Sequence, residues 1–249
     1  MSLRDVPAGN FRFLPGIPPF SSGVVAMPGH QVVHATLRAP VPWRAGFALI
    51  DRHLLEVKRP RASLCAIELR SPAPFSFEGF DTFNAGYRGL LNEWGLLIDG
   101  ENPIARTNVA PLVGGPTEPS LYAFSYTAVG GTQRPTFIVA GSGELRERAS
   151  GAEGIVRRGE TSADAMREKA TYVMGVMETR LRGLGADWPD VTIIDIYAAE
   201  PIDSYLTETI LKPAGPAAIH GVRWFPSRPP IAGLEYEMDL HGLVRDITV

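Results

Sequence analysis

PRASLCAIELRSP (residues 60–72) and PDVTIIDIYAAEP (189–201) are the two stretches that decide how this chain is organised. Each is an apolar run of strand length bracketed by prolines, and the prolines stand at the same separation in both. The mix of Leu, Ile and Ala in SLCAIELR suggests burial on one or both faces of a sheet, and VTIIDIYA reads likewise. Working outward, each strand follows a helix candidate. In residues 42–57, Phe47, Ile50, Leu54 and Val57 recur at the 3, 4, 3 spacing of one helix face, with Pro42 suited to the first turn. In residues 162–184, Met174, Met177, Leu181 and Leu184 repeat that spacing, opened by a capping-box pattern, Thr161-x-x-Asp164.

The ends of the two halves also correspond. TNVAPLVG (107–114) and SLYAFSYT (120–127) match IHGVRWFP (219–226) and GLEYEMDL (233–240), each a strand pair joined by a Gly/Pro-rich loop. In the first half the pair follows FEGFDTFNAGYRGLLNEWG (77–95), which looks helical from Phe80 on, whereas the second half has only the shorter DSYLTETIL (203–211). SGVVAMPG (22–29) with HQVVHATL (30–37), and PTFIVAGSGEL (135–145), fit at the front of each half. The chain therefore reads as an α+β protein made of one unit twice, residues 1–130 and 131–249, the second shortened, each a two-layer sandwich with helices on one face.

Composition bounds the function. The chain has 249 residues, 45% hydrophobic and 20% charged, with a net charge of -3. That is a globular composition with no electrostatic signature for nucleic acid or an acidic membrane surface. No apolar run approaches the roughly 20 residues of a membrane span, and no signal-like segment opens the chain. The one cysteine, Cys65, excludes an internal disulfide, and a cytoplasmic protein is expected.

The chemistry-bearing residues are few. PIARTNVAP (103–111) sets Arg106 among small and apolar residues, away from any charged helix face. A guanidinium held there binds a carboxylate in a bidentate manner, or pairs with an acid to tie the two units together. Glu235 and Glu237 alternate with apolar residues on one strand, so they share a face. A partly buried carboxylate there acts as a base on water, while an exposed one is merely a solvent-facing edge. Asn84 and Tyr87 lie one turn apart on a helix, either lining a cleft with Arg106 or, for Tyr87, filling the core. Asn108 and Ser125 are polar residues on the Arg106 strand pair, suited to orienting a water or an imine nitrogen. His30 and His34 share a strand face with no third ligand evident, so no metal site is expected, and His34 remains a candidate proton carrier. GSGEL and VGGPTE lack phosphate-loop spacing, and no Ser-x-Gly elbow or Cys/His pair argues for covalent catalysis.

Several of these stretches resemble the Rid (YjgF) family of reactive-intermediate deaminases. PIARTNVAP resembles its "PAR" stretch, FNAGY (83–87) its Asn-x-x-Tyr helix, VAGSGEL (139–145) its Ser-Gly strand and LEYEMD (234–239) its final strand. The resemblance covers nearly the whole chain as two tandem units. It implies a chorismate-mutase-like α+β fold, trimers with sites in clefts between units, and hydrolysis of an enamine or imine to a keto compound and ammonia without a cofactor. It also implies that Arg106 holds the substrate carboxylate, that Glu237 positions the water, and that Asn84 and Ser142 belong to the substrate site. The length of the chain, as a tandem, resembles the 2-aminomuconate deaminases of aromatic-ring degradation. Such a dicarboxylate calls for a second cation, with Arg88, Arg38 and Arg223 as candidates. The pattern is split, however: Ser125 stands where the first unit's glutamate belongs, and Ala218 where the second unit's arginine belongs. A non-catalytic module that binds a keto or amino acid through Arg106 is the alternative expectation.

Overall fold

The computed structural model describes residues 2–131, 133–146 and 151–249. In chain order the main elements are β1 (Arg4–Val6), β2 (Phe11–Leu14), β3 (Gly23–Ala26), β4 (His30–Pro42), α1 (Trp43–Glu56), β5 (Leu64–Arg70), α2 (Phe77–Glu93), β6 (Ala105–Pro111), β7 (Ser120–Val129), β8 (Phe137–Gly143), α3 (Ala163–Gly183), β9 (Ile193–Ala198), β10 (Arg223–Phe225), β11 (Ser227–Arg228), β12 (Tyr236–Gly242) and β13 (Asp246–Thr248). Between β9 and β10 runs a series of short helical turns, Asp203–Tyr205, Leu206–Leu211, Lys212–Ala214 and Gly215–His220.

The helices form where the apolar period placed them. α1 buries Phe47, Ile50 and Leu54, while Val57 lies just past its end. Pro42 precedes its first residue as the cap. α3 buries Met166, Ala170, Val173, Met174, Met177 and Leu181. Its cap is Ser162, whose hydroxyl accepts from the Ala165 amide, and not the expected Thr161 box. α2 begins earlier than expected because Ser76 caps it, accepting from the Gly79 amide at 3.0 Å.

Among the described residues the strands form two mixed sheets, β1-β2-β3-β8-β12-β9-β10 and β11-β6-β5-β7-β4-β13. Within them, β10-β9-β12-β8 and β6-β5-β7-β4 follow the same order and the same sense of pairing, with β9/β10 and β5/β6 parallel and the other pairs antiparallel. β6 and β7 are therefore not neighbours: β5 lies between them, as β9 lies between β10 and β12. The sheets also trade strands across residue 130. β3 pairs with β8 and not with the adjacent β4, while β13 pairs with β4 and β11 with β6. One apolar core lies between α3 and the seven-stranded sheet, a second between α1, α2 and the six-stranded sheet, and a third, including Phe11, Phe13, Val24, Val32, Ala105 and Ile138, between the sheets. The layers thus run helix, sheet, sheet, helix.

Candidate active site

Period-two alternation assigns each polar side chain to a layer. On β6, Ala105 packs in the core between the sheets, so Arg106 points the other way, toward α2. There the side chain is buried, 2% exposed. One terminal nitrogen, Nη2, donates to Asn84 Oδ1 at 2.7 Å. The other, Nη1, finds no acceptor among the described residues. The rings of Phe20 and Tyr87 stand 4.8 Å from the guanidinium, with Phe80 and Phe83 somewhat farther. Burial lowers the Arg106 pKa to about 10, against the opposing influence of Tyr87 and Glu237, which still leaves it charged at neutral pH. A buried guanidinium with one fork open and aromatic walls is built to receive an anion.

Glu237 arrives from the other sheet. Tyr236 and Met238 face the α3 core, so Glu237 points into the seam between the sheets. The start of its strand is fastened by Glu144, which accepts from the Glu235 and Tyr236 amides and forms a buried ion pair with Lys169 of α3 at 3.0 Å. Opposite Glu237, the β8/β12 register shifts between Met238 and Leu240. This bulge brings Gly141 under the carboxylate: a Cβ on Gly141 would lie 2.3 Å from Glu237 Oε1 and 3.0 Å from Thr107 Oγ1. The Gly141 amide donates to Thr107 Oγ1, and Thr107 in turn donates to Asp239 Oδ2 at 2.6 Å. Arg180 of α3 holds the bulge through the Ala140 and Gly141 carbonyls.

Burial pushes the Glu237 pKa up to about 8. The negative charge of Glu144 adds to this, and Arg180, Arg106 and Arg70 oppose it. The Arg106 and Glu237 charges thus act on each other across the join of β6 with β8 and β12. Arg106 lies on the α2 face of β6 and Glu237 in the seam on its other face, so what links them is the field of each charge on the other.

The other expected residues distribute unevenly. Asn84 and Tyr87 are at Arg106, Asn84 as its hydrogen-bond acceptor and Tyr87 as a fully buried ring. Asn108 lies on the Arg106 face of β6, its Oδ1 accepting from Ser71 and its Nδ2 without a partner among the described residues. Ser125 points to the seam, lining with Glu68, Ala66 and Thr107 a cavity of about 10 Å³, room for about one water. Ser142 is half-buried on β8, opposite Met238. Arg88 points away, donating to the Gly100 and Pro18 carbonyls beside a separate surface cavity of about 280 Å³. His34 is not in the Arg106 cleft: it sits in the seam, its Nε2 2.8 Å from Glu68 and its Nδ1 2.8 Å from Asp246. Burial alone would lower its pKa, but hydrogen bonds to Asp246 and Glu68 raise it to about 10. Glu235 precedes β12 and pairs with Arg228, so it does not share the Glu237 site.

Strand pairing also corrects the correspondence between halves. β5 and β9 align by their flanking prolines, which matches Ile67 with Ile196. Ile67 pairs with Arg106 and Ile196 with Trp224, so Trp224, and not Ala218, stands in the place of Arg106. Glu68, matched with Tyr197, pairs with Ala123, and Tyr197 pairs with Glu237, so Ala123, and not Ser125, is the counterpart of Glu237. Ala218 and His220 lie in the last helical turn before β10. Of the candidates for a second cation, Arg88 is held by the Gly100 carbonyl and Arg223 by Asp195, while the charges that act on Glu237 are those of Arg180, Arg106 and Arg70. Sequence reasoning missed Thr107, Gly141 and Asp239, whose roles arise from the sheet packing and the bulge.

A buried arginine open on one side can grip a small carboxylate, and a buried carboxyl whose proton affinity is raised can move a proton. The chain belongs to the 2-aminomuconate deaminase CnbZ family, whose sequence model matches residues 3–247. It is 39% identical over 241 residues to a 2-amino-5-chloromuconate deaminase of Comamonas testosteroni, covering 96% of this chain and 95% of that one. Among solved structures, a chorismatase superposes with a TM-score of 0.47 at 13% identity, over 89% of this chain and 77% of the other. A cyanuric acid hydrolase from A. caulinodans gives 0.41 at 11% identity, over 87% and 67%. No helix among the described residues is long and apolar enough to cross a membrane.

Proposed function

We propose that this protein is a hydrolytic deaminase of 2-aminomuconate or a closely related aminated muconate, working at one cleft per chain made by Arg106 and Glu237. The observation that carries the reading is the buried Arg106 fork, held on Nη2 by Asn84 and open on Nη1 among aromatic rings. Membership in a family named for this activity supports it over a non-catalytic binding module.

In this reading Arg106 takes a substrate carboxylate on its open Nη1 side, with Asn84 holding the other nitrogen in place. The aromatic walls exclude water and strengthen the grip. Glu237, protonated at neutral pH, gives its proton to the enamine carbon, converting the enamine to an iminium. As a carboxylate it then takes a proton from the attacking water. The C–O bond forms; Glu237 then returns that proton to the nitrogen, the C–N bond breaks as ammonia leaves, and the hydroxyl proton passes back to Glu237 as the carbonyl of the 2-oxo acid forms. Arg180 and Arg70, the other cations acting on Glu237, are the candidates for the second carboxylate.

The same proposal includes two Rid-like units with divergent clefts, for which the matched strand orders are the support, and a trimer of two-unit chains in the cytoplasm. Sedimentation at a mass other than three chains would remove the trimer without touching the site. The function is tested by ammonia release from 2-aminomuconate generated in place. Turnover by the wild-type protein that disappears in Arg106→Ala is expected; release that survives the substitution would overturn the assignment.

A further inference from the structure

Beyond Glu237, the same face of β12 carries Asp239 and His241 into the middle of the seam. His241 is 1% exposed, and neither of its ring nitrogens has a hydrogen-bond partner among the described residues. Asp239 Oδ1 is likewise buried and unpartnered. Buried polar atoms without a hydrogen bond are costly in a dry interior, so a histidine with neither nitrogen bonded requires a physical reason.

Their surroundings supply one. His241 Nε2 lies 3.4 Å from Asp239 Oδ1 and 3.9 Å from Glu68 Oε1. Glu68 Oε1 is in turn 2.8 Å from His34 Nε2. One donor atom from each of His34, Glu68 and His241 falls within 4.8 Å of the other two. Donors bound to one zinc at about 2.0–2.1 Å stand roughly 3.3 Å apart; Glu68 Oε1 lies 2.8 Å from His34 Nε2 and 3.9 Å from His241 Nε2, either side of that spacing, and the two histidines' donor atoms lie within 4.8 Å of each other. Two imidazoles and a carboxylate are the donor set that zinc and its divalent neighbours prefer.

The outer contacts are those of a metal centre as well. His34 Nδ1 faces Asp246 Oδ1 at 2.8 Å, the arrangement that orients a ligating histidine. Glu68 Oε2 accepts from Arg70, and Asp239 Oδ2 accepts from Thr107 and Tyr197. Four carboxylates, of Glu68, Asp195, Asp239 and Asp246, converge here, against the guanidiniums of Arg70 and Arg223 and the imidazole of His34, whose proton a bound cation would replace.

We propose that His34, Glu68 and His241 bind a divalent transition-metal ion of the zinc class that staples the two sheets together. His34 and Glu68 come from β4 and β5 of one sheet and His241 from β12 of the other, so the ion bridges the seam. His241 is four residues along β12 from Glu237, about 13 Å at strand rise. The ion is therefore structural and takes no part in the deamination.

The test begins with the purified wild-type protein and needs no variant. Elemental analysis is expected to find about one equivalent of zinc or a neighbouring metal per chain, or to find it after incubation with zinc chloride and desalting. Stripping with a strong chelator should lower the melting temperature, and zinc should restore it. Cobalt(II) in the stripped protein should give visible d–d absorption. Glu68→Gln and His241→Asn should bind at least about tenfold less metal under the same loading, while Glu237→Gln should keep it. Metal below about a tenth of an equivalent both before and after loading, with a melting temperature indifferent to chelator and zinc, would overturn the proposal and leave the cluster to a buried water or a shared proton.

Discussion

Arg106 and Trp224 hold similar places in the two sheets, each paired in parallel with an isoleucine of the strand beside it, Ile67 and Ile196. Their surroundings differ. Arg106 is roofed by α2, a helix of 17 residues that brings Phe80, Phe83, Asn84 and Tyr87 over it. Trp224 is on a strand of three residues, 41% exposed, with its indole N–H on the Ala198 carbonyl. Where α2 would have a counterpart, the second half has only the broken helical turns of 203–220. The difference teaches that a cleft needs its roof. The second half has neither such a helix nor such an arginine, and its β12 carries Glu237 into the seam between the sheets.

The sharpest way to break this comparison is Arg106→Lys. A lysine keeps the charge but loses the planar fork, and kcat/KM for the muconate substrate should fall by about a hundredfold or more. Arg106→Met should abolish activity while leaving the melting temperature unchanged or raised, because a buried charge with an open side is replaced by an apolar chain. A loss of both activity and stability in Arg106→Met would mean that the arginine is structural.

Glu237→Gln comes next. The kcat should drop by about 10²–10⁴-fold, the range for losing a general acid–base group, and the fall of wild-type kcat above about pH 8 should vanish with it. Stability responds with a defined sign. Glu237 has a folded pKa near 8 against an ordinary value of 4.5. The folded state therefore holds a proton that the unfolded state releases, and this group's contribution to stability declines as pH rises through that window. Wild type should lose stability relative to Glu237→Gln between those pH values in denaturant titrations.

Gly141→Ala sharpens the same point from the backbone side. The added methyl would meet Glu237 Oε1 and Thr107 Oγ1, so the carboxylate must move or the bulge must open. A stability loss of about 1–3 kcal/mol is expected, with kcat falling more than KM changes. The smallest effect belongs to Trp224→Ala, where kcat/KM within about twofold of wild type is expected, as for an exposed side chain outside any site. A large loss there would show that the second half has a working cleft after all.

How much of this was written in the sequence depends on the distance over which each residue is constrained. The helices at Phe47, Ile50 and Leu54 and at Met174, Met177 and Leu181 were legible because burial of one face imposes the period locally. The strands at 64–70 and 193–198 were legible because prolines bracket them. The correspondence after those strands was not. The second half is shortened between β9 and β10, so a gapless match slides past the true partners and sets Ala218 where pairing sets Trp224. Arg106 was visible from its apolar neighbours, and Asn84 and Glu237 from their places on a helix and a strand that resemble family motifs, but the layer each side chain enters depends on how two sheets stack. Thr107, Gly141 and Asp239 carry no local signal, since a threonine, a glycine and an aspartate in strands are ordinary until a bulge and a facing sheet bring them together.

The central claim is one cleft per chain, gripped by Arg106 and completed by Glu237. Its most direct test is the stoichiometry and place of binding of muconate, an analogue without the amino group, by calorimetry and a co-crystal structure. One muconate per chain is expected, with a carboxylate on Arg106 Nη1 within hydrogen-bond distance, the ligand against Glu237, and no binding by Arg106→Lys at the same concentrations. Two muconates per chain, or one lodged beside Trp224 with Arg106 untouched, would contradict it.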